Sequence, residues 1–401
     1  MEGKDQDGPI WPLAGRMVSE VEQTSAGNVE RPCETHSAAW PVKSVRSRTV
    51  RASDRGGGGR VYAALDLGTN NCRLLVARPS PRGFKVIDAF SRIIRLGEGV
   101  AASRHLSDDA IARTLDALRI CAAKIRDKQV TRSGLIATEA CRLASNAPQF
   151  LQRVREETDL EIEVISREAE ARLAVSGCAS LIDADCDLVL VFDIGGGSSE
   201  LIWLDLEAYK RKFRTHYIDR LEMQSCIAGW TSLPVGVVTL AERYGGRFVD
   251  EATFDAMVTD VLGMLAPFEA EHGFRQQMAK KSTHLLGTSG TVTTVAGVHL
   301  GLQKYDRRQV DGCWLPVVEV RAVTAQLLAS SHAERAAQPC IGNERADLVL
   351  AGCAILEAVL QTWPGERLRV ADRGLREGIL ATLMAEDGVY RTGGRKKYWK
   401  R

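Results

Sequence analysis

The sequence predicts an α/β fold assembled from two related halves, and three observations carry that prediction. The stretches LDLGTNNCRLLVA (Leu65 to Ala77) and FDIGGGSSELIWL (Phe192 to Leu204) share one pattern: an apolar run, an Asp, a Gly-containing polar turn and a second apolar run. Around them, strand-like runs alternate with helical periodicity. The chain of 401 residues is 45% hydrophobic and 26% charged, an ordinary globular composition with length enough for two or three domains. One Gly-rich turn after a strand is a weak signal, but two with the same Asp start suggest duplicated half-domains facing each other across a cleft. Such a cleft would hold a phosphate chain.

Residues 1–59 are rich in Gly, Ser, Pro and mixed charge, end in RASDRGGGGR, and read as a disordered extension in which Met17 is an alternative start. Folded structure is expected from Val61. GFKVIDAFSRIIRLG then offers further strand-like runs, and SDDAIARTLDALRICAAKIRDK sets Ile111, Leu115, Leu118, Ala122 and Ile125 at helical spacing behind a Ser107 cap. SGLIATEACR reads as a strand entering a polar turn, NAPQFLQRVREETD as a helix, LEIEVIS as a strand and REAEARLAVSGCASL as a helix. The buried strand Asp187 to Phe192 opens the second half. A strand near His284 to Leu286, the small-residue run GTSGTVTTVAG, and helices at Arg345 to Gln361 and Arg376 to Ala385 follow. The expected domains are 60–184 and 185–388, with the last helix packing back on the first domain and a basic tail over 389–401.

Ten cysteines are scattered without a CxxC pair or a His at metal-site spacing, so neither a zinc site nor a disulfide scaffold is read, and a reducing cytoplasm is the expected location. Acids at Glu2, Asp5 and Asp7 with no long apolar run behind them do not make an export signal. The longest apolar stretch, Leu348 to Leu360, contains Glu357 and is too short to span a bilayer, so no membrane partner is expected. Formal net charge is +2, yet RTGGRKKYWKR carries Arg391, Arg395, Lys396, Lys397, Lys400 and Arg401. With Tyr398 and Trp399 that tail could hold a polyanion, but short terminal charge runs are mostly solvated, and no specific nucleic acid partner is expected.

In dinucleotide-binding and Walker loops the glycines lead into a helix, whereas both turns here run into β-rich sequence. The device is strand, turn, strand, whose backbone N–H groups can still form an anion-binding nest. Asp66 and Asp193 sit at apolar strand ends, where an unpaired carboxylate is costly, so a cation or ordered water is the expected companion and both are metal candidates, with Glu200 on the same side of the second turn. Cleaving a phosphoanhydride needs an in-line water, a carboxylate to orient or deprotonate it, and positive charge on the phosphoryl oxygens. ATEACR offers Glu139 and Arg142 after a strand, and SREAEAR offers Glu168, Glu170 and Arg172 at a helix start, where acids also serve the helix dipole. Spacing does not choose between Glu139 and Glu170.

At these residues the chain resembles the Ppx/GppA phosphatases, the exopolyphosphatases and guanosine pentaphosphate phosphohydrolases of the actin-like ATPase superfamily. The resemblance covers about residues 61–385 and rests on DLGTN at Asp66 to Asn70 with Arg73, RLGEGV at Arg95 to Val100, ATEACR, EAEAR, DIGGGSSE and GTSGT at Gly287 to Thr291. Arg345 to Asp347 and ADRGLREG at Ala371 to Gly378 also look like the family. It implies two actin-like, ribonuclease H-like domains with the active site between them. It implies Glu170 as the catalytic acid, with Asp193 and Glu200 as the other essential acids, and Arg142 as the substrate arginine. Gly68, Thr69, Asn70, Arg73, Arg95, Gly195, Gly196, Gly197, Ser198, Thr288, Ser289 and Gly290 are the expected phosphate cradle. Magnesium or another divalent cation is expected near Asp66, Asp193 and Glu200.

The first loop departs from the family's D-x-G-S-N-S, with Thr69 and Asn71 in place of the two serines; Thr keeps the hydroxyl and Asn71 offers an amide. The C-terminal helical domains of long family members are also expected to be absent, which points toward shorter chains or a nucleotide triphosphate. The expected activity is removal of terminal phosphates from inorganic polyphosphate, with guanosine pentaphosphate as the alternative substrate. A phosphotransferase and a non-catalytic alarmone or polyphosphate sensor are the rivals from other classes, and a homodimer is expected by analogy alone.

Overall fold

The computed structural model describes residues 59–389 apart from 82, 184 and 214–221, and the side chains of 212 and 213. The expected N-terminal extension with Met17 and the basic tail with Tyr398 and Trp399 therefore lie outside the described residues, save at 59 and 389. The strands are β1 (Tyr62–Leu67), β2 (Asn71–Ser80), β3 (Gly83–Ile93), β4 (Arg132–Ala137), β5 (Glu163–Val164), β6 (Leu188–Ile194), β7 (Ser199–Asp205), β8 (Ile227–Leu233), β9 (Thr283–Thr288), β10 (Trp314–Pro316) and β11 (Arg367–Ala371). The helices of the first half are α1 (Val100–Ser103), α2 (Asp108–Asp127), α3 (Glu139–Leu143), α4 (Ala147–Thr158) and α5 (Arg167–Cys178). Those of the second are α6 (Leu206–Phe213), α7 (Val237–Tyr244), α8 (Glu251–His272), α9 (Phe274–Met278), α10 (Gly290–His299), α11 (Arg307–Val310), α12 (Val317–Ala329), α13 (His332–Ala337), α14 (Val349–Thr362) and α15 (Leu375–Glu386).

The duplication is written into the sheets. The first has the order β3-β2-β1-β4-β5 and the second β10-β11-β9-β6-β7-β8. Counted from β3 and from β8, each runs through two antiparallel pairings and then two parallel ones. Alternation along the first strands sends side chains to two cores. Ala63, Leu65 and Leu67 join α2 and α4 residues such as Leu115 and Phe150, while Tyr62 and Ala64 meet Ile379, Leu380 and Leu383 of α15. In the second sheet Leu190 and Phe192 face the large core that holds Phe254 and Leu350, and Val189 and Val191 face α5 through Val175 and Cys178.

Helices α5 and α15 thus lie between the sheets, and they cross at backbone contact. A Cβ on Gly177 would overlap the carbonyl of Gly374, and one on Gly378 the carbonyl of Leu173. Both helices start at the carboxyl ends of the parallel strands, where open α/β sheets bind ligands. Ser107 and Ser166 cap α2 and α5, accepting from Ala110 and Ala169 N–H.

Some elements differ from expectation. LEIEVIS pairs only through Glu163 and Val164, because β5 is an edge strand that meets β4 at Ile136 and Ala137 alone. The helix expected from Arg345 starts at Val349, after a turn at Gly342 in the left-handed region (φ 73°). The run GTSGTVTTVAG divides into the end of β9 and the helix α10.

Candidate active site

Both Gly turns close with the same bond, Gly68 N–H to Asn71 O and Gly195 N–H to Ser198 O, each 2.9 Å. The register that follows sets what stands opposite what. Asp66 faces Arg73 across β1 and β2, whereas Asp193 faces Glu200 across β6 and β7. One frame therefore carries attraction in its first copy and two neighbouring carboxylates in its second. The turns meet across the cleft: a Cβ on Gly197 would lie 2.7 Å from Thr69 Oγ1, an approach only glycine admits. Parallel pairing with β9 brings Thr288 beside Asp193.

Capping by Ser166 fixes Glu170 in the first turn of α5, and Arg142 holds it there. The Arg142 guanidinium donates from Nη2 to Glu170 Oε2 (2.8 Å), from Nε to Glu139 Oε2 (2.8 Å) and from Nη1 to Ile165 O (2.9 Å). Glu139 also accepts from Arg167 Nη2 at 2.6 Å. Burial raises the Glu139 carboxyl, but Arg167 and Arg142 outweigh it and hold this acid below its usual range. Glu170 goes the other way: burial and the neighbouring Glu200 push it well above the carboxylate range against the pull of Arg142. Burial, then Glu170 and Asp66, raises Asp193 to about 7. Burial and Asp193 raise Glu200 to about 7, although Ser232 Oγ donates to its Oε1 at 2.8 Å. Two carboxylates with one range in water thus separate into a paired, ionised Glu139 and a proton-seeking Glu170.

The cavity between the loops holds about 160 Å³ and is lined by every residue expected in the site except Arg95 and Arg142. Arg142 lies behind the acids as described. Arg95 pairs with Asp347 at 3.1 Å and donates to Glu344 O at 3.2 Å, beside a second cavity. Sequence reasoning missed Arg345, at the turn before α14, and Arg376, in the first turn of α15. With Arg73 they bring three guanidiniums to the lining, and none of the three forms an ion pair or hydrogen bond with a described side chain. Both lie in stretches that look like the family, Arg345 to Asp347 and Ala371 to Gly378, which marked the segments without assigning these arginines a role. Ser289 caps α10 at φ 117°, a conformation that costs about 1–3 kcal/mol and turns that helix N-terminus to the cavity lining.

Among the described residues no three His, Cys, Asp or Glu side chains converge to hold a metal ion by themselves. Crowded carboxylates whose proton affinity is raised by one another are nevertheless suited to Mg2+, which takes one or two carboxylates and completes its shell with water and phosphate oxygens. Asp193 and Glu200, paired across β6 and β7, fit that partial role, and Asp66 adds its charge beside them. Among the described residues no helix is long and apolar enough to cross a membrane.

The family model that matches this chain is that of the Ppx/GppA phosphatases, over residues 75–387. Among solved structures the chain is similar to the Ppx/GppA family member of Aquifex aeolicus, with 27% identity, TM-score 0.64, and coverage of 82% of this chain and 98% of that one. It is similar to an exopolyphosphatase-like protein at 27% identity, TM-score 0.66, covering 82% and 99%. An exopolyphosphatase from Cytophaga hutchinsonii, 24% identical with TM-score 0.70 over 82% and 98%, shares the fold. That fold is the actin-like pair of α/β sheets.

Proposed function

Because the chain belongs to the Ppx/GppA phosphatase family, we propose that it is an exopolyphosphatase that releases orthophosphate from the ends of inorganic polyphosphate. One observation carries the reading: a base-like Glu170 stands beside the cross-strand pair Asp193 and Glu200 in a cleft with three unpaired guanidiniums. Arg142 fixes the Glu170 carboxylate, which orients a water and takes its proton as the water oxygen bonds to the terminal phosphorus. The bond from that phosphorus to the bridging oxygen breaks, and the shortened chain leaves with the bond's electron pair. Arg73, Arg345 and Arg376 offset the charge of the non-bridging oxygens, and the Gly195 to Ser198 turn presents backbone N–H groups to them. Mg2+ held by Asp193 and Glu200, with Asp66 beside them, would supply further charge neutralisation.

The test is phosphate release with magnesium from long-chain polyphosphate, short-chain polyphosphate and guanosine pentaphosphate in parallel. Release from polyphosphate at the higher kcat/KM supports the reading. Preference for the nucleotide moves the assignment to guanosine pentaphosphate hydrolysis, and label transferred to ADP instead of water makes the protein a phosphotransferase.

A further inference from the structure

The turn that carries Arg376 into the cleft is held from behind by a segment that does not reach the cavity. Residues 372–377 belong to the lining, whereas Tyr305, Arg307 and Asp311 do not. Tyr305 Oη donates to Asp372 Oδ2 at 2.8 Å, and Asp311 accepts from Asp372 N–H at 3.0 Å and pairs with Arg373. Arg307 makes the contact nearest to Arg376. Its Nη2 donates to Glu377 Oε1 at 2.8 Å and to Asp372 O. The other oxygen of Glu377, which is 5% exposed, accepts from Gly374 N–H at 2.9 Å.

Arg376 and Glu377 share the first turn of α15. Burial disfavours the charge on Arg376, and Glu377 is the acid that most favours it. Glu377 is therefore the partner that Arg376 would take inside the protein. Both of its oxygens are engaged instead, by Arg307 and by the Gly374 cap, and Arg376 pairs with no described side chain. Capping α15 needs only the Gly374 bond. The second contact comes from an arginine on another segment and leaves an unpaired guanidinium facing the cleft. We propose that Arg307 is a positioning residue for Arg376: by engaging Glu377 it fixes the first turn of α15 and keeps the Arg376 guanidinium available to a phosphoryl oxygen. Without Arg307, Glu377 turns to Arg376 and competes with the substrate for it. This rests on the reading of the cleft as the phosphate site.

The test is a double-mutant cycle read by calorimetry of tripolyphosphate with magnesium in the non-hydrolysing Glu170→Gln protein. Arg376→Ala is expected to weaken binding at least about tenfold and Arg307→Met at least about fivefold. With Arg376 already removed, Arg307→Met should cost no more than about twofold, the remainder being the charge it uncovers on Glu377. Arg307→Lys, a milder change that keeps the charge, should show the same coupling at about threefold, so the cycle stands even where Arg307→Met does not fold. A loss of equal size in both backgrounds makes Arg307 a structural residue and overturns the inference, leaving the phosphate site standing. A lower urea midpoint with unchanged affinity does the same. If Arg376→Ala binds tripolyphosphate like its parent, the inference falls together with the role given to Arg376 in the cleft.

Discussion

Arg142→Met separates two roles for one arginine. The resemblance implies a substrate contact, whereas the geometry gives its donors to Glu139, Glu170 and Ile165 O. If Arg142 acts by holding Glu170 ionised and aimed, its removal takes away an opposite charge at 2.8 Å from an acid that burial and Glu200 already raise. Loss of such a partner raises a carboxyl by about 1–3 pH units, or about 1.4–4 kcal/mol. The active form is the carboxylate, so activity present above its pKa is lost as pH falls, and the acid limb of kcat moves upward by that interval. On the acid limb, below the pKa of both proteins, the expected result is a kcat about 10- to 1000-fold lower with KM within a few-fold, and partial rescue by Arg142→Lys. Leaving buried acids short of a partner costs about 3–5 kcal/mol of stability, so the assay is run well below the variant's melting temperature. Phosphate release across pH 5.5–9 decides the matter. Unchanged kcat with a KM raised tenfold or more would refute the positioning role and make Arg142 a substrate contact.

Arg376→Ala should weaken tripolyphosphate binding about 10- to 100-fold by calorimetry while leaving the thermal midpoint unchanged or higher, since an unpaired guanidinium that burial disfavours is removed; a lower midpoint would mean a structural role. Gly177→Ala should destabilise the protein by at least about 1–3 kcal/mol in urea, because its Cβ overlaps Gly374 O, and should lower kcat by separating the helices that carry Glu170 and Arg376; wild-type behaviour would show that the crossing relaxes freely. His284 is 2% exposed, and burial followed by Arg369 depresses its imidazole from 6.5 to about 4. Its share of stability, about 3 kcal/mol, is present above pH 6.5 and is lost as pH falls toward 4. Urea midpoints of wild type should therefore drop more steeply over that window than those of His284→Gln, and parallel curves would contradict this.

The paired hairpins were legible because each joins a run of buried residues to a Gly turn, and Asp66–Arg73 and Asp193–Glu200 share one spacing that predicts cross-strand pairing. The Ser107 and Ser166 caps announced α2 and α5. Much of the second half was not legible. Helix α8 is long but carries Pro267, and α10 is built from Thr, Val and Gly, residues whose helical state comes from burial of Val292, Val295 and Ala296 and not from propensity. In the site, Glu139 and Glu170 differ only through tertiary neighbours: two arginines reach the first, while Glu200 crowds the second. Arg345 and Arg376 lie in the family-like stretches Arg345 to Asp347 and Ala371 to Gly378, but they reach the cleft from distant segments, so their place in it shows only in the fold. Arg95 belongs to a family-like motif, yet its guanidinium closes on Asp347 because the two segments meet in the fold.

The central claim, that Glu170 and not Glu139 activates the water, is tested most directly by kcat and polyphosphate affinity of Glu170→Gln and Glu139→Gln measured side by side. The account predicts that Glu170→Gln loses turnover while polyphosphate still binds, and that Glu139→Gln, a change at an acid already paired with Arg142 and Arg167, keeps most of its kcat. The reverse ranking would contradict it.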